Sequence, residues 1–369
     1  MSAAPKKNPY SGLRPEGFWR TGVAEAHPTS LRNLYSKKFA IEPTDRIVTA
    51  GSCFAQHVAR HMRNRGYHIV DGEPLPFAIP EDLARSFGYL IYSGRYGNIY
   101  TARQFRQLLE DARRATTRPE NVWEDNGRFY DGLRPNVEPD GLDSPEEVQA
   151  HRAAHLSAMK KMFSEVDVLV FTLGLTEAWV NTSSGTVYPT CPGVVAGTYD
   201  PAKVAFKNFN VLEIYEDMKA IRAFLAKRNP NFRMILTVSP VPLTATASGD
   251  HVLAATTYSK SALRAVCGLL AQEFSDVDYF PSYEIITAPV SRGFFYEPNL
   301  RSVTELGVET VMSTFFTEHG DVLPAEDAGD REERGRRRKK RGQRQKGERR
   351  KDKQDVVCEE AMLEAFGRG

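Results

Sequence analysis

The residues best placed to do chemistry are Gly51-Ser52-Cys53, because a strand pattern runs into them and a helical pattern runs out. Arg46-Ile47-Val48-Thr49-Ala50 is apolar and β-branched, the composition of a short buried strand. Gln56 to Met62 has helical composition and leads to Gly66, the residue type that most often ends a helix. A hydroxyl or thiol between two such elements stands at the carboxyl end of a strand and the amino end of a helix. Backbone N–H groups and the helix dipole stabilise a developing oxyanion there, as an acyl-transfer nucleophile requires. The alternative is a tight turn in which Gly51 and Ser52 merely cap the helix. Local sequence leaves both readings open.

The elements that must position this turn follow a regular order. Gly66 to Val70 reads as a second strand, and Ala102 to Ala115 as a helix with Phe105, Leu108, Leu109 and Ala112 on one face. Asn121 to Pro145 is polar and reads as a loop or small excursion. A helix over 146–163 then leads to Val166 to Leu173, a continuous apolar run typical of a buried parallel strand. Residues 180–210 form a turn-rich insert. A helix over 211–228, a strand over 233–238, a helix over 256–273, a strand over 277–280 and a helix over 304–316 complete the pattern. Strands alternating with helices of this length point to an α/β fold with a mostly parallel sheet covered on both faces. Ligands in such sheets bind beyond the carboxyl ends of the strands.

Polar residues recur at those ends. The run ending at Leu173 delivers Gly174, Thr176 and Glu177, and the strand ending at Val238 delivers Ser239, with His251 in the loop beyond it. The last strand delivers Ser282 and Glu284. Polar groups at strand after strand point to one shared site.

These residues carry a resemblance. Gly51-Ser52-Cys53-Phe54-Ala55 resembles the signature that names the GSCFA domain family, a branch of the SGNH/GDSL-type hydrolase superfamily. The segments 171–179, 237–243, 258–264 and 279–284, and the end segment 358–366, also resemble that family. The resemblance implies a flavodoxin-like three-layer α/β/α domain with Ser52 as nucleophile. The superfamily builds its oxyanion hole from the nucleophile's own N–H, a glycine N–H and an asparagine side chain. Gly174-Leu175-Thr176-Glu177 stands in the asparagine block without an asparagine, so Thr176 and Asn98 of Tyr96-Gly97-Asn98 are the candidate donors. Superfamily members usually carry Asp-x-x-His before the last helix. Here Asn299 takes the place of the aspartate and Ser302 that of the histidine.

A serine hydroxyl needs a base, so another must serve. Of eight histidines, His251 lies on the correct edge beside Asp250. His57, five residues after Ser52 on the same helix, points away from the turn. Glu177 is the second candidate, because a buried carboxylate has a raised pKa; it also has the option of an ion pair with Lys260 or Arg264. Lys260, in Tyr258-Ser259-Lys260-Ser261 at a helix start, is available to an anionic ligand. Phosphate-binding glycine loops, HExxH and EF-hand patterns are missing, so no cofactor or metal is expected. The function expected is that of a serine esterase or O-acyltransferase, acting on an ester such as an O-acetyl group of a polysaccharide. The alternative is a catalytically inactive module that binds a carbohydrate or a partner protein.

Composition bounds the setting. Hydrophobic residues at 41% and aromatics at 10% describe an ordinary globular chain of 369 residues. Four scattered cysteines without metal-ligand spacing, no apolar run of the roughly 18 residues a membrane span needs, and no secretory pattern point to the cytoplasm. The net charge of +2 conceals a segment, 331–353, with 14 basic and 4 acidic residues; the remainder carries −8. The expected organisation is an irregular lead-in over 1–45 anchored by Trp19, a catalytic-type domain over 46–320, a basic disordered linker over 321–355 and a short docking helix over 356–369. The linker is expected to meet an anionic surface: acidic polysaccharide, lipid or nucleic acid. Affinity of the full chain for a polyanion such as heparin should therefore fall steeply as salt is raised. Equal affinity at low and high salt would remove that role from residues 331–353.

Overall fold

The computed structural model describes residues 8–322 and 359–368. After short helical turns at Pro15–Gly17 and Arg20–Ala24, β1 (Ile47–Gly51) leads directly into α1 (Phe54–Asn64). Next come α2 (Glu81–Ser86), α3 (Ala102–Arg114) and the strands β2 (Val122–Asp125) and β3 (Arg128–Asp131). The helix α4 (Pro145–Ser164) precedes β4 (Val168–Leu173), which is followed by β5 (Glu177–Asn181), β6 (Val187–Tyr188) and β7 (Val204–Asn208). The remaining elements are α5 (Val211–Ala226), β8 (Arg233–Val238), α6 (Val252–Glu273), β9 (Val277–Tyr279), α7 (Ser282–Thr287) and α8 (Glu305–His319).

The central sheet has the order β1-β4-β8-β9 and every pairing is parallel. All four carboxyl ends therefore lie on one edge. Alternation along the strands sorts the core into two layers. Ile47, Val168, Val170 and Ile235 meet Val58 and Met62 of α1 and Val311 and Phe315 of α8 on one face. Val48, Leu169, Phe171 and Leu236 meet residues of α3, α4, α5 and α6 on the other. The result is a three-layer α/β/α fold.

Several expectations are corrected. The stretch read as a second strand makes a single parallel bridge, Ile69 with Ile47. It still marks where the chain first moves to one side of β1 before crossing to β4 on the other. The stretch read as a loop over 121–145 holds the β2–β3 hairpin, and the turn-rich insert holds a three-stranded antiparallel sheet, β6-β5-β7. Short strands among polar and turn residues give little hydrophobic period to read. The helix expected from 256 begins at Val252, so His251 is its N-cap and Tyr258 to Ser261 lie inside the helix. Trp19 is 67% exposed and anchors nothing. Residues 323–358, with the basic run, lie outside the described residues; Glu359–Arg368 forms a 3₁₀ helix with Met362 and Phe366 exposed.

Gly51 determines how closely the first two strands approach. Its φ is +141°, and a Cβ added there would lie 2.3 Å from the Thr172 carbonyl oxygen. Gly51→Ala should lower stability by more than about 1 kcal/mol, read as an earlier urea midpoint. An unchanged midpoint would show that this approach is not fixed by the missing side chain.

Candidate functional site

The chain's lateral order reverses between β1 and β4, and in an open parallel sheet that reversal opens a crevice at the carboxyl edge. Ser52 stands on one wall and Gly174 on the other. The two touch: a Cβ on Gly174 would lie 2.8 Å from Ser52 Cβ and 3.3 Å from its Oγ. Ser52 is buried, and its Oγ has no hydrogen-bond partner among the described residues.

The segment Asn98 to Thr101 closes the crevice. Ile99 N–H donates to the Gly51 carbonyl at 2.9 Å. The Tyr100 carbonyl accepts from Gly174 N–H at 3.1 Å and Leu175 N–H at 2.9 Å. Gln104 holds the segment by accepting from Tyr100 N–H and donating to the Asn98 carbonyl, both at 3.0 Å. Asn98 is buried, and its Oδ1 accepts from the Tyr92 hydroxyl at 2.6 Å and from Gln56 Nε2 at 3.2 Å. The same Tyr92 hydroxyl lies 3.0 Å from the Ser52 carbonyl oxygen.

From the α6 side, buried Lys260 donates Nζ to the Gly174 carbonyl at 2.7 Å, and Ser259 Oγ accepts the Thr176 N–H at 3.0 Å. These two bonds set the direction of the 174–176 backbone. Thr176 Oγ1 is buried and has no partner among the described residues. Ser239, at the end of β8, donates its N–H to the Leu173 carbonyl at 2.9 Å. Gly51, Ser52, Asn98, Gly174, Thr176, Ser239 and Lys260 therefore gather around the ends of β1, β4 and β8.

The backbone donors, however, are engaged. Ser52 N–H donates to the Thr172 carbonyl at 3.2 Å, and Gly174 N–H is held by Tyr100. The candidate bases are bonded elsewhere too. His251 is exposed, and its Nδ1 accepts the Leu253 N–H at 3.1 Å. Its Nδ1 is therefore engaged as the helix cap and does not face the Ser52 hydroxyl as a bonded partner. Glu177 Oε1 accepts from Thr246 Oγ1 at 2.8 Å, and burial raises its carboxyl above the usual range. Its expected pairing with Lys260 or Arg264 does not occur; Arg264 pairs with Glu284. Burial pushes His57 down to about 3, with Arg60 adding to the effect, so this imidazole is neutral. Asn299 Oδ1 accepts from the N–H groups of Arg301 and Ser302, and its Nδ2 donates to Ser302 Oγ at 3.0 Å. That frame is a turn with Asn299 and Ser302 exposed, tied to the segment after β8 by Arg301 Nε, which donates to the Pro242 carbonyl at 3.2 Å. Among the described residues no cluster of His, Cys, Asp or Glu has the makings of a metal site, and no helix is long and apolar enough to cross a membrane.

Sequence reasoning missed Tyr92, Tyr100, Gln56, Gln104 and Ser259. Tyr100 acts through its carbonyl, which no side-chain motif reveals. Gln104 had a signal, standing three residues after the α3 N-cap Thr101 as a capping-box residue would.

A model of the GSCFA family matches residues 46–315, which include every site residue named above. No curated protein and no solved structure matches the chain.

The raised Glu177 carboxyl has a thermodynamic consequence. A folded-state pKa above the unfolded value means that the native state holds the proton more tightly, so native stability falls as pH rises through that window. Glu177→Gln keeps an acceptor for Thr246 without the charge. The variant should gain stability relative to wild type as pH rises from 4 to 7, followed by urea unfolding; a gap independent of pH would refute the raised pKa.

Proposed function

This chain belongs to the GSCFA family, and from that premise we propose that it acts on esters as an SGNH-type serine esterase or O-acyltransferase with Ser52 as nucleophile. One observation carries the reading: Ser52 Oγ is buried and unpartnered at the strand-order reversal. An unsatisfied buried hydroxyl costs about 1–3 kcal/mol. Thr49 and Thr172 are also buried and unpartnered among the described residues, but within strands, whereas Ser52 stands in the turn between strand and helix.

In the reaction, Ser52 Oγ attacks the ester carbonyl carbon and gives its proton to His251 or Glu177. The oxyanion is held by Ser52 N–H with Asn98 Nδ2 or Thr176 Oγ1. Collapse expels the alcohol, which regains the proton from the base and leaves an acyl group on Ser52. Water or an acceptor hydroxyl then takes the acyl group. Glu177 suits the role of base because its raised pKa brings it nearer neutrality. In this reading Ser52 N–H is freed from the Thr172 carbonyl, and the base is freed from its present bond, Glu177 from Thr246 or His251 from the Leu253 N–H. O-acetyl groups of a polysaccharide fit the reading as substrate and the cytoplasm as location.

A second reading is a binding module without catalysis. It is favoured by the engaged N–H groups of Ser52 and Gly174 and by the Asn299–Ser302 turn that replaces the usual Asp-x-x-His. A fluorophosphonate probe separates the two. Wild type should be labelled and Ser52→Ala should not; labelling of both would remove Ser52 as nucleophile, and labelling of neither would favour the binding module.

A further inference from the structure

Beside the Ser52 turn lies a shallow recess, open to solvent and lined by Gln56, Arg85, Tyr92, Asn98 and Asn136 among others. Tyr92 and Asn98 form the wall it shares with Ser52, whose carbonyl oxygen lies 3.0 Å from the Tyr92 hydroxyl. Arg85 is the unusual member. Its side chain is only 17% exposed, yet it makes no hydrogen bond among the described residues. Its single ion pair is a 3.9 Å contact with Glu81, whose side chain is 67% exposed. The amide of Asn136 likewise makes no hydrogen bond among the described residues.

Other sheltered guanidinium groups face sheltered carboxylates, Arg152 only through 3.7 Å and 3.8 Å contacts with Asp131 and Asp111, and three others closely. Arg134 donates to Asp131 at 2.8 Å, Arg103 to Asp217 at 2.7 Å and Arg95 to Glu138 at 2.7 Å. Around Arg85 the charged side chains it acts on are the cations Arg60 and Arg63, beside the neutral His57; the carboxylates nearby are Glu81, Glu305 toward Arg60 and Asp71 toward Arg63. Withdrawing a guanidinium from water without an acceptor is costly, and like charges add to that cost. The planar fork of donors matches a carboxylate or phosphate, which accepts two parallel hydrogen bonds.

We infer that this recess is an anion subsite, in which Arg85 and Asn136 bind a carboxylate or phosphate group of the ligand that the Ser52 crevice takes. As substrate recognition this rests on the ester-acting reading above; the binding of the anion does not. The ligand class is thereby narrowed to acidic carbohydrates, uronates or sugar phosphates, over neutral ones. Tyr92 and Asn98 link the subsite to the Ser52 backbone, so a seated anion touches the wall of the reacting centre.

The test uses the full chain, titrated with D-galacturonate, galactose 6-phosphate and neutral D-galactose by ligand-observed NMR. Saturable binding of at least one anion is expected, with galactose at least tenfold weaker. Galacturonate alone would identify a uronate site and galactose 6-phosphate alone a phosphate site. Arg85→Gln should weaken the anion at least tenfold, Arg85→Lys less, and Asn136→Ala several-fold. Because the guanidinium has no close protein acceptor, Arg85→Gln should unfold at the wild-type temperature or above, which separates lost binding from lost folding. Comparing variants in the full chain also cancels any anion uptake by residues 331–353. Equal binding by wild type and Arg85→Gln, equal binding of galactose, or no saturable anion binding would overturn the subsite. Ser52→Ala should bind the anion as wild type does. Anion binding that depends on Arg85, without fluorophosphonate labelling, would keep the subsite and remove the esterase.

Discussion

The close approach of β1 and β4 at their carboxyl ends is the constraint on which the site depends. Two glycines make it possible. Gly51 lies against the Thr172 backbone, and Gly174 lies against Ser52, each where a Cβ would collide. Ordinary parallel strands diverge with the sheet twist beyond their last shared bonds, and a crevice opens there. In this chain Ile99 and Tyr100 fill that space with backbone hydrogen bonds to both sides. Ser52 is consequently buried, and its hydroxyl is shielded by neighbours that offer it no bond.

The same few N–H groups are in demand for two purposes. Ser52 N–H and Gly174 N–H complete the backbone pairing around the crevice, and they are also the donors an oxyanion would use. A single N–H cannot serve both fully. The availability of the Gly174 N–H is therefore coupled to the position of the 98–101 segment, whose other ties run to Gln104, Gln56 and Tyr92. Lys260 and Ser259 hold the opposite wall and leave it less freedom. The crevice has one firmly tied wall and one whose release costs a short list of hydrogen bonds.

Charge is distributed unevenly around this centre. Salt bridges join α3 to α5 through Arg103 and Asp217, and the β2–β3 hairpin to α4 through Asp131 and Arg152. Those contacts balance charge where helices and hairpin pack. The α1–α2 corner does not follow that rule, because its cations lie near one another and its carboxylates stay in solvent. An acidic body that keeps such a corner presents a local field opposite in sign to its average, and the corner adjoins the Ser52 turn through Gln56 and Tyr92.

The parallel α/β/α architecture was legible along the chain, because 168–173 and 233–238 are continuous apolar runs separated by helical patterns. The sequence by itself also determined that Ser52 stands between strand and helix, since strand period, glycine and helix composition adjoin in a few residues. The β2–β3 hairpin had a local signal that sequence reasoning missed, the Asn126-Gly127 turn. The strands β5 and β7 were not legible, because they pair across some tens of residues. His251 shows the same limit: a polar loop residue by composition, it became a helix cap once α6 was seen to start at Val252. Only the tertiary structure decided that Tyr100 closes the crevice through its carbonyl, that Glu177 faces Thr246 and that Arg85 lacks a close acceptor. Each of those depends on where a distant group comes to rest, and residue types along the chain carry no record of that. The Gly51–Ala55 turn was legible as a junction of strand and helix; that its N–H groups are engaged by Thr172 and by its own helix depends on contacts that folding brings to it.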